Sequence, residues 1–368
     1  MEISKIGEKE AVAYLVTIVI AKVFLTYPAV LVGYVANAAW AVVALSGLMT
    51  LFFMYFVVKL VVSFPGKSFP QICEKILGPY LGSFVALLPF LGWLIEESLL
   101  MRNFSESMLI VALPETTLSI VMLCFVGACV VAVYLGIESI ARASYISFPF
   151  TLVAILAITL LSFNAWKPQY LFPLFGKGLF PIVRAGVIRS SDFLELITIY
   201  LMPFLFYPYQ VRKVGLKAVM VSIVIFLLVV ITYTMSFPFP VSQEPYLPLY
   251  MMAKGVYLGH FFQRIEAIFL IFWVFAGLLL LSGGFYALCI ILSQVLKLPD
   301  YKPLILPLAI ITFALAFAPP SLPDAVYLSN YGLREWAWFV FYGIPIFLLI
   351  VARLRGIDGK NEFTKKEN

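Results

Sequence analysis

Long apolar runs, separated by short polar connections, dominate this sequence. A transmembrane α-helix needs about 20 consecutive, mostly apolar residues. Two of the runs, Tyr80–Met108 and Phe261–Leu296, are longer than that, which indicates helices that tilt or extend beyond the bilayer. The pattern as a whole predicts an all-α integral membrane protein with about ten transmembrane helices, at Ala11–Val35, Ala39–Val62, Tyr80–Met108, Leu118–Leu135, Ser144–Phe163, Asp192–Val211, Ala218–Phe237, Phe261–Leu296, Leu304–Ala318 and Trp336–Ala352.

Two shorter segments have the pattern of amphipathic helices at the membrane surface. They are Ser68–Leu77, between the second and third spans, and Leu179–Ile188, between the fifth and sixth. The end of the chain, 356–368, is rich in charge and predicts a cytoplasmic tail. We expect the remainder, 1–355, to form a single polytopic membrane domain.

Proline interrupts the first span at Pro28 and the sixth at Pro203 and Pro208. Proline lacks a backbone donor and disfavours helix at the residue before it. One kinked helix is common, but two interrupted helices at matching places in a ten-helix chain are typical of inverted-repeat transporters. We therefore expect repeats at about 8–163 and 190–320, with broken helices one and six. The backbone groups freed at the two breaks predict a ligand site near the middle of the bilayer.

The composition agrees with membrane insertion and excludes other classes. Hydrophobic residues make up 63% of the chain and charged residues 12%, whereas soluble domains average roughly 45–50% and 25%. The net charge of +6 fits the excess of Lys and Arg that cytoplasmic loops carry, and its distribution predicts both termini in the cytoplasm. No basic run alternates with aromatic residues, so we expect no nucleic-acid partner.

The sequence offers few residues for metal binding or covalent chemistry. Its four cysteines show no CxxC or Cys/His spacing, and His260 is the single histidine. We therefore predict no cofactor, no metal site and no catalytic set, and hence no enzyme. No filter sequence typical of an ion channel occurs either.

Lys22 stands near the middle of the otherwise apolar first span. A charge there costs several kcal/mol unless it meets a partner or a polar cavity. The ends of the span are too far away for the side chain to reach the membrane surface easily. Two roles stay open: Lys22 pairs with a buried carboxylate, or its ammonium stands where related transporters hold a sodium ion. A buried lysine also titrates readily, which would suit proton coupling.

Two adjacent acidic residues, Glu96 and Glu97, lie within the third span. Neighbouring positions on a helix point in different directions, so the two side chains cannot share one task. Glu96 shares a stripe with Asn103 and Ser107, and Glu97 projects elsewhere. One of the pair is expected to be the counter-ion of Lys22 or part of the ligand site; the alternative is an intramembrane ion pair with a structural role.

Other charged residues have local structural interpretations. Glu195 follows Asp192 by three residues at the start of the sixth span, a spacing that predicts a capping box with Asp192 as the N-cap. Arg102 and Glu106 have the spacing of an i,i+4 pair on one helix. We expect structural roles for all four, and the alternative for Asp192 and Glu195 is a role in an ion pathway.

Short motifs mark the chain from before the first span to the eighth. They are Ile3-Ser4, Leu25-Thr26-Tyr27-Pro28, Phe64-Pro65-Gly66-Lys67-Ser68, Leu77-Gly78-Pro79-Tyr80-Leu81-Gly82, Phe172-Pro173-Leu174-Phe175-Gly176-Lys177-Gly178, and Arg264-Ile265-Glu266-Ala267 with Trp273. Taken in order, they resemble the spore germination permease family, the B subunits of nutrient germinant receptors, over nearly the whole chain.

That resemblance implies the amino acid–polyamine–organocation superfamily and its five-plus-five inverted-repeat (LeuT-like) fold. It implies a pocket between spans one, three, six and eight for a small nutrient, typically an amino acid. It also implies A-type and C-type receptor subunits as partners. The location implied is the spore inner membrane or the plasma membrane of an endospore-forming bacterium.

The chain departs from the resemblance at the first break. Family members often carry glycines there, whereas this sequence has Ala21, Lys22 and Val23, so the Lys22 side chain is expected to fill part of the site. Arg264 and Glu266 match the motif of the eighth span, and a structural ion pair is the default expectation for them.

The function expected is that of a transporter-fold subunit in the bilayer that binds a small nutrient and triggers spore germination. The alternative is a proton-coupled secondary amino acid transporter, which needs the same pocket. The residues expected to bind the ligand are Ala21, Lys22, Val23, Thr26, Glu97, Tyr200, Leu201, Met202 and Phe204. Those expected to couple an ion or proton are Lys22, Glu96 and Glu97.

Overall fold

Helices account for the regular structure throughout the part of the chain that the structure, a computed structural model, describes: residues 6–201, 208–256 and 265–357. The α-helices are α1 Glu8–Ile20, α2 Tyr27–Val35, α3 Ala39–Ser63, α4 Phe69–Leu77, α5 Pro79–Val111, α6 Leu118–Leu135, α7 Ile137–Leu161, α8 Leu179–Ile188, α9 Thr198–Leu201, α10 Pro208–Ser236, α11 Pro248–Lys254, α12 Ile265–Val295, α13 Ile305–Ala316, α14 Leu322–Tyr327 and α15 Arg334–Leu354. Shorter 3₁₀ segments lie at Ala21–Phe24, Ala36–Ala38, Ser162–Ala165, Pro168–Leu171, Arg189–Ile197, Val241–Gln243 and Lys302–Leu304, and a π-helical segment at Leu328–Leu333.

Within the described ranges, seven helical stretches are long and apolar enough to cross a membrane. They are Tyr27–Ser63, Pro79–Val111, Leu118–Leu135, Ile137–Ala165, Gln210–Ser236, Leu270–Val295 and Leu322–Leu354. The first of these joins the second half of the predicted first span to the second span. The predicted sixth and ninth spans contain only shorter helices among the described residues, α9 with part of α10, and α13.

The first span is broken, as its proline predicts. Helix α1 ends at Ile20, a 3₁₀ turn covers Ala21–Phe24, and Leu25 is extended with φ −93° and ψ −152°. Helix α2 then begins at Tyr27 with Pro28 in its first turn, where a missing N–H costs no helical hydrogen bond. The break therefore lies about one turn before the proline, at the level of Lys22.

The sixth span also starts without a regular α-helix. Residues Arg189–Ile197 form 3₁₀ turns, and only the short helix α9 follows before the described residues stop at 201. Pro203 lies outside the described residues. The 3₁₀ segment is fully buried, so its three charged side chains must find partners inside the protein.

The centre of the bundle is formed by α1 and α12. Residues Ala13–Ile20 of α1 are all buried, and 83% of the most apolar stretch of α12 is buried. Helix α1 packs against α7, α10 and α12, and α12 also packs against α5. The corresponding stretch of α6 is only 28% buried. An apolar surface of this kind suits contact with lipid, which places α6 at the periphery.

Both predicted amphipathic helices form, as α4 and α8. Helix α4 is closed at its start by a capping box, in which the Ser68 N–H donates to Gln71 Oε1 over 3.0 Å. It buries an apolar face that includes Phe69 and Ile72. Helix α8 has the predicted limits and packs against α2 and α3. The proposed division into repeats of 8–163 and 190–320 stays a prediction.

The loop of residues 172–178, which precedes α8, forms hydrogen bonds with the C-terminal end of α2. Asn37 Nδ2 donates to the Phe172 carbonyl over 2.5 Å, and Lys177 Nζ donates to the Gly33 carbonyl over 2.6 Å. The Lys177 N–H bonds to the Val35 carbonyl, so a cation and two donors meet the carbonyl end of the helix. Gly176 has φ +49°, and a Cβ there would collide with the Val35 carbonyl.

Candidate functional site

A small cavity lies at the break of the first helix. Its volume is about 20 Å³, enough for roughly one water molecule. It is lined by the break, the start of α2, α5, the 3₁₀ segment Arg189–Ile197, the π-helical segment and the start of α15. Its lining consists of Lys22, Leu25, Thr26, Tyr27, Leu100, Asn103, Arg189, Asp192, Ser329, Asn330 and Arg334.

The Lys22 ammonium is held by two acceptors of the 3₁₀ segment. It donates to Glu195 Oε2 over 2.5 Å and to the main-chain carbonyl of Asp192. Lys22 is only 5% exposed, so these charge-assisted bonds replace most of its hydration. Lys22 thereby links the break of the first span directly to the 3₁₀ segment Arg189–Ile197.

Arg189 and Asp192 form a bidentate pair within that segment. Arg189 Nε donates to Asp192 Oδ2 over 2.8 Å, and Nη2 donates to Oδ1 over 2.6 Å. Nη2 also donates to Asn330 Oδ1 over 3.2 Å, which links the pair to the π-helical segment. Two parallel bonds of this kind fix the orientation of both side chains.

Arg334, the first residue of α15, connects three elements. It forms an ion pair with Glu96 of α5 and donates to the Ser191 carbonyl over 3.0 Å. Its nitrogens also lie 3.6 Å from Asp192 Oδ1 and 3.7 Å from Glu195 Oε1. Ser329 donates to Glu96 Oε2 over 3.2 Å. We refer to Lys22, Glu96, Arg189, Asp192, Glu195 and Arg334 as the charged network.

The charged network is balanced, with three basic and three acidic side chains among the described residues. Buried ions carry a large desolvation cost, which mutual attraction and further hydrogen bonds offset. Three polar atoms of residues that line the cavity have no hydrogen-bond partner within the described ranges: the donor Arg189 Nη1, the acceptor Asn103 Oδ1 and the Tyr27 hydroxyl. The cavity lining thus offers an unpaired donor, an unpaired acceptor and a hydroxyl that can act as either.

The residues expected to bind a ligand do not all meet at this cavity. Lys22 and Thr26 line it, whereas Ala21 and Val23 are buried beside it without lining it. Tyr200 lies elsewhere, with its hydroxyl donating to the Phe341 carbonyl over 3.0 Å. Leu201 is buried next to it. Met202 and Phe204 lie outside the described residues.

Lys22 does pair with a buried carboxylate, as one of its two expected roles has it, but the carboxylate is Glu195, so the counter-ion alternative for Glu96 and Glu97 is wrong. The capping-box prediction is wrong as well. Asp192 does not cap a helix, because it lies inside a 3₁₀ segment that begins at Arg189, and its carboxylate accepts from Arg189 instead. The capping-box spacing was therefore misleading: the two carboxylates three residues apart serve two different cations.

The two glutamates of α5 do point to different surroundings, as their adjacency predicts. Glu96 faces the charged network, on the same stripe as the cavity residue Asn103. Glu97 faces α12, where its carboxyl lies against Gly284. The i,i+4 pair of Arg102 and Glu106 forms as predicted.

The sequence pattern does not indicate the roles of Arg189 and Arg334, and for Asp192 and Glu195 it indicates a local role. One signal was available: these charges stand at the ends of apolar spans in a chain with only 12% charged residues. In the eighth-span motif, Arg264 and the side chain of Glu266 lie outside the described residues. Trp273 packs on Phe104, with ring centroids 6.1 Å apart.

The fold matches that of a solved transporter. The structure superposes on Mhp1, a nucleobase-cation-symport-1 family transporter in a closed conformation with bromovinylhydantoin bound, with a TM-score of 0.60. The match covers 90% of this chain and 77% of the other, at 12% sequence identity. This likeness concerns the fold, which is the LeuT-like fold with broken first and sixth helices that the sequence predicts.

The curated relatives are spore germination proteins of Bacillus subtilis (strain 168). Spore germination protein YndE is 23% identical over 358 residues, which are 96% of this chain and 97% of the relative. Spore germination protein KB is 24% identical over 343 residues, 89% of this chain and 91% of the relative. The family model described as spore germination protein matches residues 5–325. The chain therefore belongs to the spore germination protein family of multi-pass membrane proteins.

Proposed function

We propose that this protein is the transporter-fold membrane subunit of a nutrient germinant receptor, and that it binds a small nutrient at the first-helix break to trigger spore germination. The observation that carries the proposal is the charged network around the cavity. A buried polar site in a membrane domain is costly to maintain, which favours a functional role for it.

The ligand class we propose is an amino acid. A zwitterion carries one positive and one negative group, so it can exchange with ion pairs of the charged network without adding net charge. The open donor Arg189 Nη1 suits a carboxylate, and the open acceptor Asn103 Oδ1 suits an ammonium. The cavity in this structure has room for about one water molecule. Ligand entry therefore requires the walls to separate.

Binding would reach the rest of the molecule through the same ion pairs. Lys22 ties the first break to Glu195, and Arg334 ties α15 to Glu96 of α5. A ligand that replaces either contact changes how these helices are held together. We propose that partner subunits of the A and C types respond to that change, in the spore inner membrane or the plasma membrane, with both termini of this chain in the cytoplasm.

A second candidate function is proton-coupled secondary transport of an amino acid. One observation favours it: ion pairs hold both ends of α1. Glu8 binds Lys213 and Lys217 at one end, and Lys22 joins the charged network just beyond the other. A transporter needs two closures that open alternately around one site. A neighbouring gene for an A-type or C-type subunit would favour the receptor, and an orphan gene would favour transport.

The test is a thermal-shift screen of the purified protein against the common amino acids. A ligand at 100 times its Kd stabilises the folded state by about 2.7 kcal/mol, and we expect such a shift with one or two amino acids. The shift should weaken, or change its pH dependence, in Lys22→Met. Lys59→Met, at an exposed position of α3, is the matched control and should keep it.

A screen without any shift would contradict binding by this subunit in isolation, and uptake into liposomes would then be the remaining assay for the transport candidate. An unchanged shift in Lys22→Met at every pH would remove Lys22 from the site. Accumulation of the identified amino acid in liposomes, driven by a proton gradient, would establish the transport candidate instead of the receptor.

A further inference from the structure

Glu97, near the middle of α5, is buried without a cation. It is 1% exposed, and its Oε1 has no hydrogen-bond partner among the described residues. In the described part of the chain, no basic side chain forms an ion pair with it. Lys22 and Arg334 are engaged by the charged network, and Arg102 by Glu106.

The carboxyl of Glu97 sits against the backbone of α12. Gly284 leaves the space it occupies, because a Cβ there would overlap Glu97 Oε2 and lie 3.0 Å from Trp93 Nε1. Trp93 Nε1 and the Tyr14 hydroxyl are buried and have no hydrogen-bond partner within the described ranges. Three polar groups thus meet the same interior region between α1, α5 and α12 without satisfying one another.

Titratable groups coupled electrostatically to Glu97 lie on α1, α5, α6, α12 and the 3₁₀ segment. They are Tyr14 of α1, Cys129 of α6, Cys289 of α12, the neighbouring Glu96 and, from the 3₁₀ segment, Glu195. Cys129 is further tied down as acceptor of the Ser282 hydroxyl at 3.7 Å. All of these groups are acids, so none of them offers a positive charge.

Charge balance decides which form Glu97 adopts. The charged network already neutralises itself, so an ionised Glu97 would add one negative charge to a low-dielectric interior. An isolated buried charge is far more costly than a neutral polar group. A metal cation is disfavoured as the partner, because hard cations require several oxygen ligands and Trp93 presents only an N–H donor.

We propose that Glu97 is a proton-binding site and that its carboxyl carries a proton in this structure. The step is the simple combination of a carboxylate with one proton to give a carboxylic acid. When water reaches the site the proton leaves, and the carboxylate that forms can accept from Trp93 Nε1 and the Tyr14 hydroxyl. The Trp93 N–H and the Tyr14 hydroxyl are therefore available as donors to the ionised carboxylate of Glu97.

Proton loss at Glu97 would act on the ligand site through charge. Glu96 and Glu195 both act electrostatically on Glu97, and both belong to the charged network. A new negative charge beside them changes the hold on Lys22 and Arg334. This coupling step rests on the proposed function, whereas protonation of Glu97 does not.

The experiment is infrared spectroscopy of the purified protein in detergent or lipid. Near neutral pH, exposed carboxyl groups are ionised. We expect the native protein to show the C=O stretching band of a protonated carboxylic acid, shifted in heavy water. That band should disappear in Glu97→Gln and persist in the matched variant Glu115→Gln, which removes an exposed carboxyl.

Absence of the band in the native protein would overturn the proposal without any variant, and so would its persistence in Glu97→Gln. Glu97→Asp is the second variant and should keep a protonated-acid band at a shifted frequency. If an amino acid ligand is found, its thermal shift should lose part of its pH dependence in Glu97→Gln. A ligand screen that fails leaves the infrared result standing, so the two failures are distinguishable.

Discussion

At the scale of single residues, the charged network depends on every member having a partner. A buried ion pair is weak support for stability as a whole, because desolvation offsets attraction. Removal of one partner is different, since it leaves an uncompensated charge in the interior. Arg334 is the most connected member, as it lies within 4 Å of Glu96, Asp192 and Glu195.

Replacement of Arg334 should therefore be severe. We expect Arg334→Met to lower the free energy of unfolding by about 3–5 kcal/mol, because three carboxylates lose a shared cation. Denaturant titration in detergent measures the loss. Arg142→Met is the control: Arg142 pairs with Glu138 on α7, its side chain is 63% exposed, and its loss should cost less than about 1 kcal/mol.

A double variant separates pairing from packing. Glu96→Gln in the Arg334→Met background removes the surplus charge, so the combined loss should be smaller than the sum of the single losses. Additive losses would mean that the ion pair between Arg334 and Glu96 has no energetic role.

The need for a partner of Lys22 could be predicted, but the partner could not. A lysine in an apolar span must be neutralised wherever it lies, so its own sequence neighbours suffice for that inference. Glu195 is 173 residues away, and apolar periodicity does not say which helices meet. Asp192 and Glu195 also satisfy a local capping rule, which is why the shorter-range explanation was preferred.

At the scale of elements, the loop of residues 172–178 at the end of α2 restricts which residues can occupy it. It combines a cation at the carbonyl end of the helix with a residue in the left-handed region, Gly176 at φ +49°. Non-glycine residues are disfavoured there by about 1–2 kcal/mol, and a Cβ would also meet the Val35 carbonyl. The glycine of the FGKG motif is thus explained by geometry.

Gly176→Ala should accordingly destabilise the protein by at least about 1–2 kcal/mol, as read from thermal unfolding. Gly127→Ala is the matched control, because Gly127 lies within α6 and a Cβ there meets open space. Alanine is the better helix former by about 0.5–1 kcal/mol, so the control should be neutral or stabilising. An equal response in both variants would show that φ at Gly176 is not restrictive.

Sequence signals placed the short helices better than the breaks. Helices α4 and α8 have near-predicted limits because a cap or a glycine stands at each start. The first break lies at Ala21–Leu25, where the family resemblance places it, and not at Pro28 itself, because the proline is accommodated in the first turn of α2. The chain before a proline can unwind over a whole turn, and tertiary contacts decide where.

At the scale of the whole molecule, the two ends of α1 are held with unequal strength. The buried charged network lies just beyond its C-terminal end. At the other end, Glu8 binds Lys213 over 2.9 Å and Lys217 over 2.6 Å, with all three side chains partly exposed. Exposed pairs contribute little and are screened by salt. The Glu8 end is therefore the easier one to release.

Acid should break the ion pairs that hold the N-terminal end of α1 to α10. Glu8 lies before the first predicted span, and its bonds to Lys217 and Lys213 hold the pKa of its carboxyl below the ordinary value. The contribution of these pairs is present above the unfolded pKa and is lost as pH falls through the lowered pKa. Spin labels at Gly7→Cys and Arg212→Cys, in a Cys124→Ser background, should show a narrow distance distribution at neutral pH that broadens in acid.

Glu8→Gln is the control for that measurement, and its distribution should already be broad at neutral pH. A narrow distribution in Glu8→Gln would show that packing, not the ion pairs, holds this end of α1. High salt should broaden the native distribution in the same direction as acid.

The overall fold could be predicted because each part of it has a local signal. Apolar length gives the spans, and paired prolines give the two breaks. The site could be placed only in outline, since Thr26 and Lys22 lie on the broken segment itself. Arg189 and Arg334 had the positions of loop charges, and only the packing of α5, α15 and the 3₁₀ segment brings them inside.

The hydrogen bonds at the carbonyl end of α2 have a consequence for the link between α2 and the 3₁₀ segment Arg189–Ile197. The loop bound to α2 is followed directly by α8, a rod of 10 residues and about 15 Å, and α8 runs straight into the segment that carries Asp192 and Glu195. Helix α8 therefore connects the end of α2 to the 3₁₀ segment Arg189–Ile197. Under the proposed function, a ligand that displaces the 3₁₀ segment would also shift α8 and, through the loop bound to it, the end of α2.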